Sequence, residues 1–245
     1  MEDAYFALIR ETRAQVRSHM AHESDHAVVA RTMTFLFQTY DTMLKEFERT
    51  APWACHRGCA HCCHNPVGVT GLEALWIGET LRNTLGPKDL ADVVEGLRTV
   101  ARKQSGSTWD LHALGRHPCL FLLPDHSCGI YPWRPLGCRS LVSFSEAACS
   151  RAFSSNQSSS AFDQRPLLSL GALVSGLSLA LRDLGLSSAR YELHGAVLAT
   201  LEHDQPVHAW RTDNTLFSDC LPGDALDPDT HARILSRLDK LMSRV

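Results

Sequence analysis

Cys55-His56-Arg57-Gly58-Cys59-Ala60-His61-Cys62-Cys63 places four thiols within nine residues. Four more follow at Cys119, Cys128, Cys138 and Cys149. Only Cys220 stands apart, so eight of nine cysteines share one 95-residue window. Burial of small apolar thiols would scatter them along the chain instead. Thiolates bind zinc, copper(I) and iron–sulfur clusters, and the window reads as a metal or iron–sulfur site. The fold expected around it is mainly α: an irregular helical domain clamped by a cysteine-ligated site, with at most a small β-hairpin.

The chain outside the window is helical by pattern. Residues 1–22 carry Tyr5, Phe6, Leu8, Ile9 and Val16. A second helix, capped by Ser24 or Asp25, repeats Val29, Met33, Leu36, Tyr40, Met43 or Leu44, and Phe47 at three- and four-residue steps, which is one apolar face. Pro52 ends it. Thr70 with Glu73 fits a capping box, opening a helix with Leu72, Leu75, Trp76, Ile77 and Leu81. Pro87 opens the next, with Leu90, Val93, Val94, Leu97 and Val100, and Gly106 closes it. Further helices are expected at 166–184, 188–203 and 229–243. Strands never alternate with helices, which excludes a parallel α/β sheet. One domain is expected over 1–245, with N-terminal helices at 1–52, the cysteine segment at 53–150 and C-terminal helices at 151–245.

The cysteine segment is rich in glycine and proline between 115 and 140. Residues 118–122 and 129–131 are expected as two short strands of a hairpin presenting Cys119 and Cys128. Pro132 and Pro135 predict a stiff, extended stretch around Arg134. Ser145 is placed to cap a short helix bearing Cys149, and the serine-rich stretch 154–160 reads as a loop.

The spacing of Cys55, Cys59 and Cys62, C-x3-C-x2-C, lets one loop wrap three corners of a cubane. Gly58 allows close backbone approach. A fourth thiolate would come from Cys119, Cys128 or Cys138. Cys63, adjacent to Cys62, faces a second site or serves as an exchangeable or redox thiol. Zinc prefers two paired knuckles, and only Cys59-x2-Cys62 has that form. A [4Fe–4S] cluster is the leading cofactor reading, with zinc or mononuclear iron as the alternative. Radical SAM enzymes share the C-x3-C-x2-C spacing, but the helices either side argue against their barrel. His61 is expected close behind the ligands, as are Tyr131, Arg134 and Arg139, whose guanidinium groups would offset thiolate charge. No residue is assigned a catalytic role. Cys220 is expected as a buried apolar group.

The bulk numbers narrow the partners. A net charge of −3 over 245 residues gives no basic excess for nucleic acid or an anionic membrane. No secretory signal is visible at the N-terminus. The apolar run 167–181 is short for a membrane span and reads as a core helix. A reducing cytoplasm is therefore expected, where clustered cysteines bind metal rather than pair. The partner is an unidentified protein or small-molecule substrate.

Two blocks, Cys55-x3-Cys59-x2-Cys62-Cys63 and Cys119-x-Phe121-Leu122 followed by Cys128-x-Ile130-Tyr131-Pro132-x-Arg134-Pro135-x-x-Cys138-Arg139, together resemble the CxxCxxCC family of zinc- or iron-chelating domains. That family includes flagellin lysine-N-methylase. The resemblance implies metal chelation and, further off, SAM-linked methyl transfer by an iron–sulfur-dependent transferase. An oxidoreductase, a metal-stapled protein-interaction module, and a metal-handling protein using Cys62 and Cys63 remain alternatives.

Overall fold

The computed structural model describes residues 2–22, 25–104, 106, 108–155, 161–212, 215–224 and 228–242. Eleven α-helices and one two-stranded sheet lie among them. Ser24 and most of the serine-rich stretch, 156–160, fall outside the described residues.

Helices α1 (Glu2–His22), α2 (Asp25–Thr50) and α8 (Gln164–Asp183) form the scaffold. The apolar face expected on α2 is buried at Val29, Met33, Leu36, Tyr40 and Leu44. Tyr40 lies inside because its hydroxyl donates to the Pro166 carbonyl of α8 at 2.8 Å, which offsets the cost of burying it. Helix α8 packs against α1 through Gly176, where a Cβ would sit 2.7 Å from the Ile9 carbonyl oxygen. The glycine is thus a close-approach residue. At 20 residues α8 is longer than the run read from sequence, and it is the one helix among the described residues long and apolar enough to cross a membrane. Here it is a core helix, with Ala172, Leu173, Leu177, Leu179 and Ala180 buried.

Helix α3 (Gly71–Thr84) starts with the expected capping box: Thr70 Oγ1 accepts from Glu73 N, and Glu73 Oε2 accepts from Thr70 N. The other carboxylate oxygen of Glu73 accepts from Leu136 N at 2.9 Å. Glu73 thereby joins α3 to α6 (Leu136–Ser140), the short helix that carries Cys138.

Helix α4 (Pro87–Gln104) follows as expected. Helix α5 (Trp109–Gly115), just ahead of the glycine- and proline-rich stretch, was not foreseen. Helix α7 (Glu146–Ser155) bears Cys149, and Ser145 Oγ caps it by accepting from Ala148 N at 3.2 Å. Helix α9 (Leu193–Glu202) is shorter than the 188–203 expected, α10 (Pro206–Thr212) was not expected, and α11 (Pro228–Met242) ends the described chain.

Sequence reasoning missed the sheet. Strand β1 (Gly68–Thr70) pairs antiparallel with β2 (Arg190–Glu192), with Gly68 opposite Glu192 and Thr70 opposite Arg190. Three-residue strands are too short to show a two-residue period. The expected hairpin is reduced to one bridge, Leu122 with Cys128. Pro118, Pro124 and Pro132 remove the donors a longer ladder needs, and His126 takes a positive φ of 61° in the connecting turn. Nor is 131–138 one extended stretch. Tyr131–Trp133 is a 3-10 turn, Arg134 and Pro135 alone are extended, and α6 follows. Proline at a helix start needs no N–H and already has the required φ.

Asp163 pins the entry to this region. It caps α8 through Arg165 N, pairs with the Arg165 guanidinium at 2.6 Å, and accepts from Trp53 Nε1 at 3.0 Å. The Arg165 hydrogen bonds, helped by Trp53 and opposed by burial, hold its carboxyl down at about 2. Asp163→Ala should cost about 2 kcal/mol, read from urea unfolding. A carboxyl with a depressed folded pKa contributes fully above its ordinary value, 3.8, and less as pH falls through the folded one. The gap between wild type and variant should therefore narrow as pH falls from 4 towards 2.

Candidate metal centre

Short, cross-braced turns carry the thiols. Cys59 N donates to the His56 carbonyl at 3.1 Å, closing a turn whose third residue, Gly58, has φ +92°. Only glycine takes that conformation without strain. A 3-10 turn, His61–His64, then presents Cys62 and Cys63. Cys119 N donates to the Cys63 carbonyl at 2.8 Å, tying the second cysteine block to the first. Arg57 pairs with Asp125 at 3.0 Å, tying the turn before Cys128 to the Gly58 loop. On the far side Ala54 N donates to the Ser143 carbonyl at 2.9 Å, and Ser143 N donates to Cys55 Sγ at 3.4 Å.

Cys62 is the centre of the sulfur group. It is hydrogen-bonded to Cys63, and it interacts electrostatically with Cys55, Cys59, Cys128 and Cys138. Cys119 interacts with Cys128 and Cys138, and Cys149 with Cys55. The eight cysteines of the window thus form one connected group, although no disulfide links them. The Cys63 hydrogen bond, and burial after it, push the Cys62 thiol well up. Burial does the same to Cys55, Cys59, Cys128 and, most strongly, Cys138. Without a cation these sulfurs stay protonated, and a metal ion must displace their protons.

Arg134 supplies opposing charge: it favours the thiolate form of Cys55, Cys62, Cys128 and Cys138. Its guanidinium lies 3.8 Å over the Tyr131 ring, and its Nε is buried without a hydrogen-bond partner in the protein. Tyr131 is 57% exposed and acts as a platform for Arg134. Arg139 turns away from the sulfurs. It pairs with Asp41 at 2.8 Å, donates to the carbonyls of Pro132 and Arg134, and stacks on Phe37. It therefore braces the backbone on which Arg134 stands.

The ligand atoms of Cys59, His61 and Glu146 lie within 4.8 Å of one another. This second, mixed donor set adjoins the sulfur group, and His56 Nε2 reaches Glu146 at 3.1 Å. His64 Nδ1 instead donates to the Ala60 carbonyl at 3.1 Å, and the ring rests against Phe153. Cys220 lies apart, packed at the edge of the core, and burial followed by the nearby acids raises its thiol to about 12.

Glu146, Glu192 and His194 escaped sequence reasoning. Glu146 is an ordinary first-turn acid of α7 until folding sets it beside Cys59. His194 is one of thirteen histidines. Its Nε2 lies 3.4 Å from Cys119 Sγ, and its Nδ1 lies 2.7 Å from Glu192 Oε1. Burial opposes charge on the ring, but the contacts to Cys119 and Glu192 outweigh it and hold the imidazole up at about 10. The Leu120 N–H, pointing at Nε2 from 3.2 Å, pulls the other way because it needs a lone pair there.

The donors suit a soft or borderline metal, and the orphaned Arg134 Nε suits an anionic, thiolate-bound group beside it. A family model described as "Putative zinc- or iron-chelating domain" matches residues 54–166. That segment, just under half of the chain, is similar to CxxCxxCC domains. No curated protein and no solved structure matches the chain. The CxxCxxCC segment contains every cysteine of the sulfur group, together with Arg134, His61 and Glu146, while Glu192, His194 and Cys220 lie beyond it.

Two substitutions separate the centre of the sulfur group from its margin. Cys62→Ser should lose nearly all bound metal. Cys149→Ser, whose thiol interacts electrostatically with the outlying Cys55, should retain most of it. Metal content per folded chain, measured by elemental analysis, checks both. Because the thiols begin protonated, metal affinity should rise from pH 6.5 to 8.5 with proton release, read by titration in buffers of different ionisation enthalpy.

Proposed function

We propose that the CxxCxxCC segment holds a [4Fe–4S] cluster through Cys55, Cys59 and Cys62, with the fourth thiolate from Cys128, Cys138 or Cys119. The observation that carries this reading is the position of Cys62 among more thiols than a four-ligand zinc site requires. Arg134, a cation placed among them, supports it, since a cluster with four thiolates is anionic and hydrogen bonds to sulfur tune its potential. Such a cluster supplies either electron transfer or an open iron for substrate, which makes redox or SAM-linked methyl-transfer chemistry the activity class. The protein's own part is to half-bury Cys62 and Cys138, to place Arg134 beside them, and to hold two loops together through Cys119 N. A reducing, cytoplasmic setting suits unpaired thiols, and the substrate would be a small molecule or a protein.

A second reading rests on the mixed set of Cys59, His61 and Glu146. Nitrogen, oxygen and sulfur donors together suit zinc or mononuclear iron. It treats the site as a staple or a metal-handling station without catalysis.

Anaerobic purification with metal and sulfide analysis tests the proposal. The expected protein is brown, loses colour on reduction, and carries iron and acid-labile sulfide in equal amounts. A colourless chain with one zinc and no sulfide would overturn the cluster and favour the mixed site. Arg134→Ala should leave the fold intact and shift the cluster's reduction potential. An unchanged potential would remove Arg134 from the centre.

A further inference from the structure

We infer that Glu192 and His194, which lie outside the CxxCxxCC segment, belong to the metal centre as positioning residues that hold Cys119 as a hydrogen-bonded ligand. The inference rests on the metal-binding reading above but not on the identity of the metal.

The chain of contacts is continuous and buried. Glu192 is 0% exposed and is the N-cap of α9. Its Oε2 accepts from His194 N at 2.8 Å and Gly195 N at 3.0 Å. Two backbone N–H groups and the helix end therefore fix the carboxylate. Its Oε1 then fixes the imidazole through Nδ1 at 2.7 Å. The ring cannot swing away, because Phe121 stacks beside it with centroids 6.0 Å apart. Nε2 then faces Cys119 Sγ at 3.4 Å and also accepts from the Leu120 N–H at 3.2 Å, so the same ring edge holds both the thiol and the backbone next to it. Cys119 in turn interacts with Cys128 and Cys138 of the sulfur group.

A carboxylate that orients an imidazole is the usual support of a metal site, and removing such a partner typically weakens metal binding about 10–100-fold. Here the imidazole meets the ligand sulfur instead of the metal itself. An apolar side chain at 194 would also take the acceptor from the Leu120 N–H, so loss of the sulfur contact is separated from that backbone effect by the Cys119→Ser background below. The geometry makes β2 and α9 part of the site.

The test compares His194→Leu with His194→Gln in the full chain, following loss of the metal carried after purification into excess EDTA. The glutamine amide can still face the sulfur; leucine cannot. His194→Leu should lose metal about 10–100-fold faster than wild type, and His194→Gln should fall between them. In a Cys119→Ser background the leucine substitution should add nothing, since its effect passes through that sulfur. Equal rates for wild type and His194→Leu, or an undiminished effect without the Cys119 thiol, would overturn the inference. Alkylation of the wild-type chain reads the same point where a variant does not fold: bound metal should protect Cys119, and a Cys119 that reacts freely in the loaded protein would overturn it. A wild-type chain that carries no metal would overturn both this inference and the reading beneath it.

Discussion

The sulfur-bearing loops have almost no ladder of their own, and that constraint shapes the structure. A thiol cannot be held at a fixed place by a flexible turn, so each loop is pinned by a polar contact to something rigid. Cys119 N is bonded to the Cys63 carbonyl, Leu136 N to the buried Glu73, and Ala54 N to Ser143. Arg139 spans from Asp41 on α2 to the carbonyls beneath Arg134. Helices supply the rigid ends of these contacts. This explains why a site that occupies under half of the chain is surrounded by long helices on either side.

The electrostatics of the centre follow from the same crowding. Thiols brought together and partly buried resist ionisation, and each charge that forms raises the cost of the next. Arg134 offsets part of this, and its buried Nε has no other partner. Arg139, about one helical turn into α6, has the same chemistry but a different task. The difference lies in position: Asp41 and Phe37 occupy one guanidinium, while Tyr131 merely supports the other.

Much of this was readable in the residues. The period of α2, the Thr70–Glu73 capping box, the Ser145 cap and the mainly helical class all follow from local rules, because helices are held by contacts three and four residues apart. The β1–β2 pairing was not readable, since its partners are separated by some 120 residues and each strand is three long. Nor were the short helices α5 and α10, whose ends are set by packing more than by pattern. The hairpin at 118–131 was overestimated: its apolar run was visible, but the prolines limit it to one bridge.

The sequence by itself determined that the chain is helical around a cysteine-rich segment of the CxxCxxCC kind, because motif spacing and helical period are local properties. Only the tertiary structure decided how those cysteines are arranged. It set Cys62 at their centre, turned Arg139 away to Asp41, brought Glu146 to Cys59 and His61, and carried His194 to Cys119 across 75 residues. Distances between side chains on separate elements depend on how those elements pack, and no local pattern encodes them.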